Sequence, residues 1–332
     1  MVISKTTGRN WLLLTTVCLA LFAVAADTPQ AGVYDDPAKV DADYAFQGEY
    51  SGSIGDEKNK YGVQVIALGD GKFRAVAYIG GLPGDGWKKL EKIEVDGELK
   101  NGSVEFVSAA GKAVLNGNDS LTLFDGTGNG VGSLDKVKRE SPTAGAKPPE
   151  GAVVLFDGKS ADQFEGGRLT DDHLLMEGVN SKQKFGSCKL HVEFRLPYMP
   201  KATGQGRGNS GCYLQSRYEV QILDSFGLAG KNNECGGIYS IKDPDQNMCF
   251  PPLTWQTYDI DYTAAKFGAD GKKSENARIT VKQNGVLIHD NVELEHATTA
   301  APLKEGAEPG PLHLQNHGNP VRFRNIWIAE TR

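Results

Sequence analysis

Along most of this chain apolar and polar positions alternate with a period of two, the mark of strands half buried on one face. In the first half the alternating runs fall at 61–68, 73–78, 92–95, 103–107 and 120–124. Turn signals such as Gly69-Asp70-Gly71 and Asn101-Gly102 separate them. In the second half they fall at 186–196, 210–214, 218–223, 254–262, 277–283, 286–292, 311–315 and 321–328. Asn284-Gly285 sits between two of these runs and is a strong hairpin signal, because a type I′ turn needs positive φ at both central residues. No segment of useful length follows the 3.6-residue helical period. The pattern therefore predicts an all-β chain with a small antiparallel β domain followed by a two-sheet sandwich. Between them lies a Pro-, Gly- and Ala-rich stretch that reads as a linker. The expected division is a lead-in over 27–43, the small β domain over 44–140, the linker over 141–150 and the sandwich over 151–332.

The first residues change the picture. Lys5 and Arg9 precede an apolar run from Trp11 that ends in Ala23-Val24-Ala25-Ala26, the layout of a cleaved export signal over 1–26. The run is shorter than the roughly 20 residues a membrane-spanning helix needs. A secreted or periplasmic protein without a membrane span is expected. Losing Lys5 and Arg9 takes the formal net charge from −6 to −8, and no long Lys/Arg cluster is present, so nucleic acid is excluded as a partner. Cys18 leaves with the leader. Of the four remaining cysteines, Cys235 and Cys249 bracket a Gly/Pro/Asn-rich loop and are the preferred disulfide, whereas Cys188 and Cys212 lie in strands as buried thiols. No Cys-x-x-Cys or Cys/His spacing suggests zinc. The glycine-rich run at 80–86 lacks the helix and Lys-Ser/Thr of a phosphate loop and reads as a structural turn.

Candidate chemistry is confined to the second half. In the strand at 186–196, Lys189, His191, Glu193 and Arg195 share one face and Leu190, Val192, Phe194 and Leu196 the other. The ionisable face is either a solvated outer surface or a polar cleft. Glu219, Gln221 and Asp224, at i, i+2 and i+5, are similar to the acidic motif of laminarinase-type glucanases, in which two carboxylates flank the scissile bond. Gln in the middle and the shorter Asp at the end depart from that motif.

A closer resemblance spans most of the chain after the linker. Leu155-Phe156-Asp157-Gly158-Lys159-Ser160, Asn209-Ser210-Gly211, Tyr218-Glu219-Val220-Gln221 with Asp224, Gly236-Gly237-Ile238-Tyr239, Pro251-Pro252 with Trp255, Asn284-Gly285-Val286, and Leu314-Gln315-Asn316-His317-Gly318 through Arg322-Phe323-Arg324-Asn325-Ile326 resemble, in order, the motifs of the 3-keto-disaccharide hydrolase family. The resemblance implies a concanavalin A-like jelly-roll sandwich acting on an oligosaccharide or glycoside already oxidised at C3. A C3 ketone acidifies the C2 proton, so the glycosidic bond can break by proton abstraction and elimination followed by hydration. That route needs a base near C2, an electrophile at the C3 oxygen and an acid for the leaving oxygen. Glu219 or Glu193, with Asp224 as the alternative, is the expected base, and Gln221, His317 or Arg324 the expected enolate donor. His191, Asn209 and Gln315 are expected to contact substrate. Trp255 and Tyr218 are candidates for stacking on a sugar ring, with core packing as their competing use. A divalent metal held by His191, Glu193, Glu219 and His317 is compatible with this chemistry. The competing readings are a non-catalytic sugar-binding module of the same class and a conventional glucanase.

Overall fold

The computed structural model describes residues 32–55 and 59–331, all within one compact unit, Ala31–Arg332. The leader expected over 1–26 lies outside the described residues. Strands β1 (Gly48–Ile54), β2 (Asn59–Gly69), β3 (Lys72–Ile79), β4 (Lys92–Lys100), β5 (Ser103–Ser108), β6 (Gly111–Asn116), β7 (Ser120–Asp125) and β8 (Gly130–Val137) form a closed antiparallel barrel, each paired with its chain neighbour and β1 with β8. Closure removes the unpaired edges that an open sheet of this size would expose. Tyr50, Val65, Phe73, Val104, Leu115 and Leu134 fill its centre and are fully buried. Strands β1, β6 and β8 are absent from the sequence expectation. Their inward positions include Gly52, Ala113 and Gly132, so the apolar beat that marks a strand is lost there. Glycine is needed at such places: a Cβ at Gly97 would lie 2.5 Å from the Phe106 ring.

The remaining strands build the sandwich: β9 (Val153–Phe156), β10 (Phe164–Glu165), β11 (Leu175–Met176), β12 (Val179–Phe185), β13 (Cys188–Arg195), β14 (Ser210–Leu214), β15 (Tyr218–Ile222), β16 (Trp255–Thr263), β17 (Lys266–Phe267), β18 (Lys273–Glu275), β19 (Ala277–Gln283), β20 (Val286–Leu294), β21 (Gly310–Leu314) and β22 (Arg322–Glu330). One sheet runs β10-β12-β21-β14-β15 and the other β11-β22-β13-β16-β19-β20, with β9 also on β22. The pair β17 and β18 stands apart. Leu190, Val192 and Phe194 of β13 and Phe323 and Ile326 of β22 meet Cys212, Leu214, Val220, Ile222 and Leu314 of the facing sheet in one buried core. Two sheets packed in this way lie about 10 Å apart, and alternation sends every second residue to an outer face. The expected all-β jelly-roll architecture is the one observed. Asn284 and Gly285 turn β19 into β20 with φ of 50° and 78°.

Barrel and sandwich pack directly on one another. Ile66, Val76 and Tyr78 on the barrel wall enclose Phe226, and the Arg139 guanidinium, ion-paired to buried Glu49, lies 4.9 Å over the Phe250 ring. All four described cysteines are free and buried, which corrects the expected Cys235–Cys249 bridge. Those two thiols lie in the same buried core. Polar core groups, with the Gln283 amide donating to Cys235 Sγ at 3.2 Å, satisfy them without a covalent link.

Phe323, with no exposed surface, is central to the inter-sheet core. Phe323→Ala is expected to lower the unfolding free energy by about 3–5 kcal/mol, read from urea denaturation midpoints at unchanged slope.

Candidate active site

The expected site residues fall on two opposite outer faces of the sandwich. His191, Glu193 and Arg195 point out of the sheet that holds β13, since Leu190, Val192 and Phe194 point into the core. Glu219 and Gln221 point out of the other sheet, since Val220 and Ile222 point in. No single pocket can therefore contain Glu193 and Glu219.

The first face is covered at His191 and Glu193 by the stretch read as a linker, while Lys189 at its far end is solvated. Thr143 Oγ1 donates to Asp259 Oδ2 at 2.6 Å, Gly145 N–H to Glu193 Oε1 at 2.6 Å, and Ala146 O accepts from Asn325 Nδ2 at 3.0 Å and Trp327 Nε1 at 3.1 Å. Beneath it His191 Nδ1 meets Asp259 Oδ1 at 2.6 Å, and Glu193 also accepts from Arg324 Nε at 2.6 Å and Asn325 Nδ2 at 2.8 Å. The pairing of β13 with β22 shifts register here, and Asn325 takes a φ of 44°. Such a bulge re-aims a side chain, which lets Asn325 reach both the linker and Glu193. Burial pushes the Glu193 pKa up, but hydrogen bonds from His191, Asn325, Gly145 and Arg324 outweigh it and hold the carboxyl at about 2. Burial pulls His191 down, and the carboxylates of Asp259 and Glu193 bring it net upward. Arg324 and Arg195 lie over the Trp255 ring at 4.1 and 5.2 Å, so Trp255 serves as an arginine platform. His191 and Glu193 are thus engaged in holding the linker, while Arg324, 40% exposed, bridges Glu193 and the Trp255 ring.

The second face carries the candidate site. Register sets Asn180, His313, Tyr213 and Glu219 side by side on β12, β21, β14 and β15. Glu219 is 3% exposed, and burial raises its pKa to about 7 against the lowering effect of the Tyr213 phenol beside it. Tyr213 accepts a hydrogen bond from Gln315 Nε2 at 3.2 Å, and its own pKa is pushed up by burial and by the Glu219 charge. The His313 ring is 5.3 Å from Tyr213, its Nδ1 is buried without a partner, and burial lowers its pKa, which favours neutral imidazole. Gly211 keeps the space over the acid open, since a Cβ there would overlap Glu219 Oε1 and lie 2.7 Å from Tyr213 Cε2. The Gly236-Gly237-Ile238-Tyr239 segment extends β15: Tyr239 N–H donates to Glu219 O at 3.1 Å and Gln221 N–H to Gly237 O at 2.9 Å.

Gln221 and Asn209 border the row, and both hydrogen-bond Gln205, at 3.0 Å and, to its main-chain carbonyl, 2.7 Å. Asn209 Oδ1 is buried and unpartnered. Asp224 is not a free acid: Arg207 Nε holds its Oδ2 at 2.7 Å, and Phe226 N–H donates to Oδ1 at 3.3 Å. Tyr218 faces the core, where its ring packs on Tyr262 and its hydroxyl donates to Glu305. His317 lies on the exposed turn after β21, two residues beyond Gln315. Tyr213, His313 and Gln205 were missed from sequence. The first two carry a weak signal, as polar-tipped residues at outward positions between core residues of their strands.

The donor set does not fit the expected metal. His191 and Glu193 are spent on the linker face, Glu219 is on the other sheet, and His317 is on an exposed turn. Among the described residues no group of three or more His, Cys, Asp or Glu side chains is placed to hold a metal ion. Nor is any described helix long and apolar enough to cross a membrane.

The family and the structural neighbours together mark a glycosyl hydrolase-like domain. The chain belongs to the family of 3-keto-alpha-glucoside-1,2-lyase-like domains, whose model matches residues 151–329. A solved structure from Parabacteroides distasonis ATCC 8503, described as a candidate glycosyl hydrolase, is 35% identical with a TM-score of 0.50; the match covers 55% of this chain and 85% of that one. Another from the same organism with the same description is 18% identical with a TM-score of 0.42, covering 59% of this chain and 99% of that one. No curated protein gives a significant match.

A carboxyl with a depressed folded pKa stabilises the fold above its unfolded pKa, about 4.3, and loses that contribution as pH falls toward the folded value. Glu193→Gln is therefore expected to cost about 3 kcal/mol at pH 7, by leaving buried donors unsatisfied. Urea unfolding should show the gap to native protein narrowing between pH 4.3 and about 2.

Proposed function

We propose that the protein cleaves glycosidic bonds of 3-keto-sugars by C2 proton abstraction, elimination and hydration, with Glu219 as the base. The observation that carries this reading is the setting of Glu219: a buried carboxyl whose pKa is raised to about 7, below the side-chain-free position of Gly211 and beside a protonated phenol. A base works best with a pKa near the working pH, which this burial provides. Glu219 takes the C2 proton. The C2–H electrons form the enolate with the C3 carbonyl, and the enolate then expels the C1 oxygen substituent, leaving a C1–C2 double bond conjugated to the ketone. The leaving oxygen takes a proton from Tyr213 or from the newly protonated Glu219. Water then adds at C1 and a proton returns to C2. Gln315, Gln221 and Asn209 supply amide donors for the sugar and its C3 oxygen.

A conventional glycosidase needs two carboxyl groups, roughly 5–9.5 Å apart. Asp224, the other acid of the glucanase-like motif, is held by Arg207 Nε at 2.7 Å. One carboxyl suits elimination from an acidified carbon and disfavours the glucanase reading. A non-catalytic sugar-binding module is the second reading, favoured by the amide-rich border of Gln205, Gln221 and Gln315, which suits hydroxyl recognition. Export to the periplasm or beyond, with Asp27 as the mature N-terminus, is part of the same proposal, supported by the leader pattern alone.

Incubation of the purified protein with a 3-keto-disaccharide and with its unoxidised parent tests the reading. Release of sugar from the oxidised substrate alone is expected, and binding without release of either would establish the module. Glu219→Gln should lower kcat by about 10²–10⁴-fold, and the native rate should rise with pH through about 7 as the base ionises. A carboxyl with a raised folded pKa weakens the fold as pH rises from its unfolded to its folded value. Glu219→Gln should thus be the more stable protein at pH 8, by about 3–4 kcal/mol in urea unfolding.

A further inference from the structure

The barrel is filled at one end and hollow at the other. Val40, Tyr44 and Phe46 from the lead-in, with Tyr198 and Leu253 from the sandwich, pack against its closed end. Toward the opposite mouth the inward positions shrink to Ala75, Ala77, Ala113 and Gly132, and a cavity of about 360 Å³ opens between the walls. Its lining is apolar, with Tyr61, Val63, Val95, Phe106 and Leu123 from four different strands. At its rim Ile93 is 51% and Val131 39% exposed, a cost in water that a bound apolar molecule would remove. Lys112 and Asp125 supply charge only at the edge of this space.

An eight-stranded barrel is just wide enough to be filled by its own side chains or to hold one small ligand. Side chains fill the closed end here and stop short of the mouth. A helix with its side chains is about 10–12 Å across, too wide to enter between these walls, whereas about 300–1,000 Å³ is the ordinary size of a small-molecule pocket. We propose that the barrel mouth is a binding site for a small apolar molecule, an aryl or short acyl group whose polar end stays in water at the rim. This site is separate from the Glu219 row and does not depend on the catalytic reading.

Fluorescence titration of the full mature chain with N-phenyl-1-naphthylamine tests it. The expected result is saturable binding of one equivalent, weakened at least tenfold in Ala113→Leu and in Ala77→Leu, each of which fills the cavity from a different strand. Thermal unfolding identifies which variants are folded, and if one fails to fold the other decides. The proposal is overturned if the native protein shows no saturable binding, or if a folded cavity-filling variant binds the probe as the native chain does.

Discussion

The buried carboxylate of Glu193 is the contact on which the arrangement of the whole chain depends. It collects hydrogen bonds from the linker at Gly145 and from Asn325 and Arg324 on the neighbouring strand. A buried charge is tolerated only when its lone pairs are occupied, and here the linker itself occupies one of them. The connection between barrel and sandwich is therefore a docked segment and not a loose tether. With Ser141 and Thr143 bonded to Thr257 and Asp259, the chain leaves the barrel along one path, which keeps the barrel wall against Phe226 and Arg139 over Phe250.

The linker covers His191 and Glu193 on one outer face, and the second buried glutamate, Glu219, lies on the opposite sheet. There the same physics of burial acts in the other direction. Glu193 has donors on several sides and is held ionised, whereas Glu219 has one phenol beside it and is left near neutrality. Two glutamates in strands of one sandwich thus differ in what surrounds them and not in residue type. The unpartnered Nδ1 of His313 and Oδ1 of Asn209 bring further unmet polar capacity to this face. Native interiors leave few such groups without a purpose.

Much of the fold was legible in the alternation of residues. Leu190, Val192 and Phe194 lie in the core and His191 and Glu193 opposite, as the period of two requires. The barrel strands that escaped notice are those in which glycine or alanine takes the inward place, at Gly52, Ala113 and Gly132, where close approach of the barrel walls replaces the apolar signal; in the sandwich β9 to β12, β17 and β18 escaped as well. The candidate site was legible in part. Glu219, Gln221, Asn209 and Gln315 do gather on one sheet, while Tyr213 and His313, without a motif of their own, entered only when β14 was seen between β21 and β15.

The sequence by itself determined most of the longer strands, which side of each of these is apolar, and the family to which the second half belongs, because these follow from local periodicity and ordered motifs. The tertiary structure alone decided which outer face each polar row occupies and what covers it. Strand order brings Tyr213 between His313 and Glu219, and the path of the linker spends His191 and Glu193 on architecture. Contacts between residues far apart in sequence, 48 positions for Gly145 and Glu193 and 102 for Tyr213 and Gln315, set both outcomes, and no spacing along the chain encodes them.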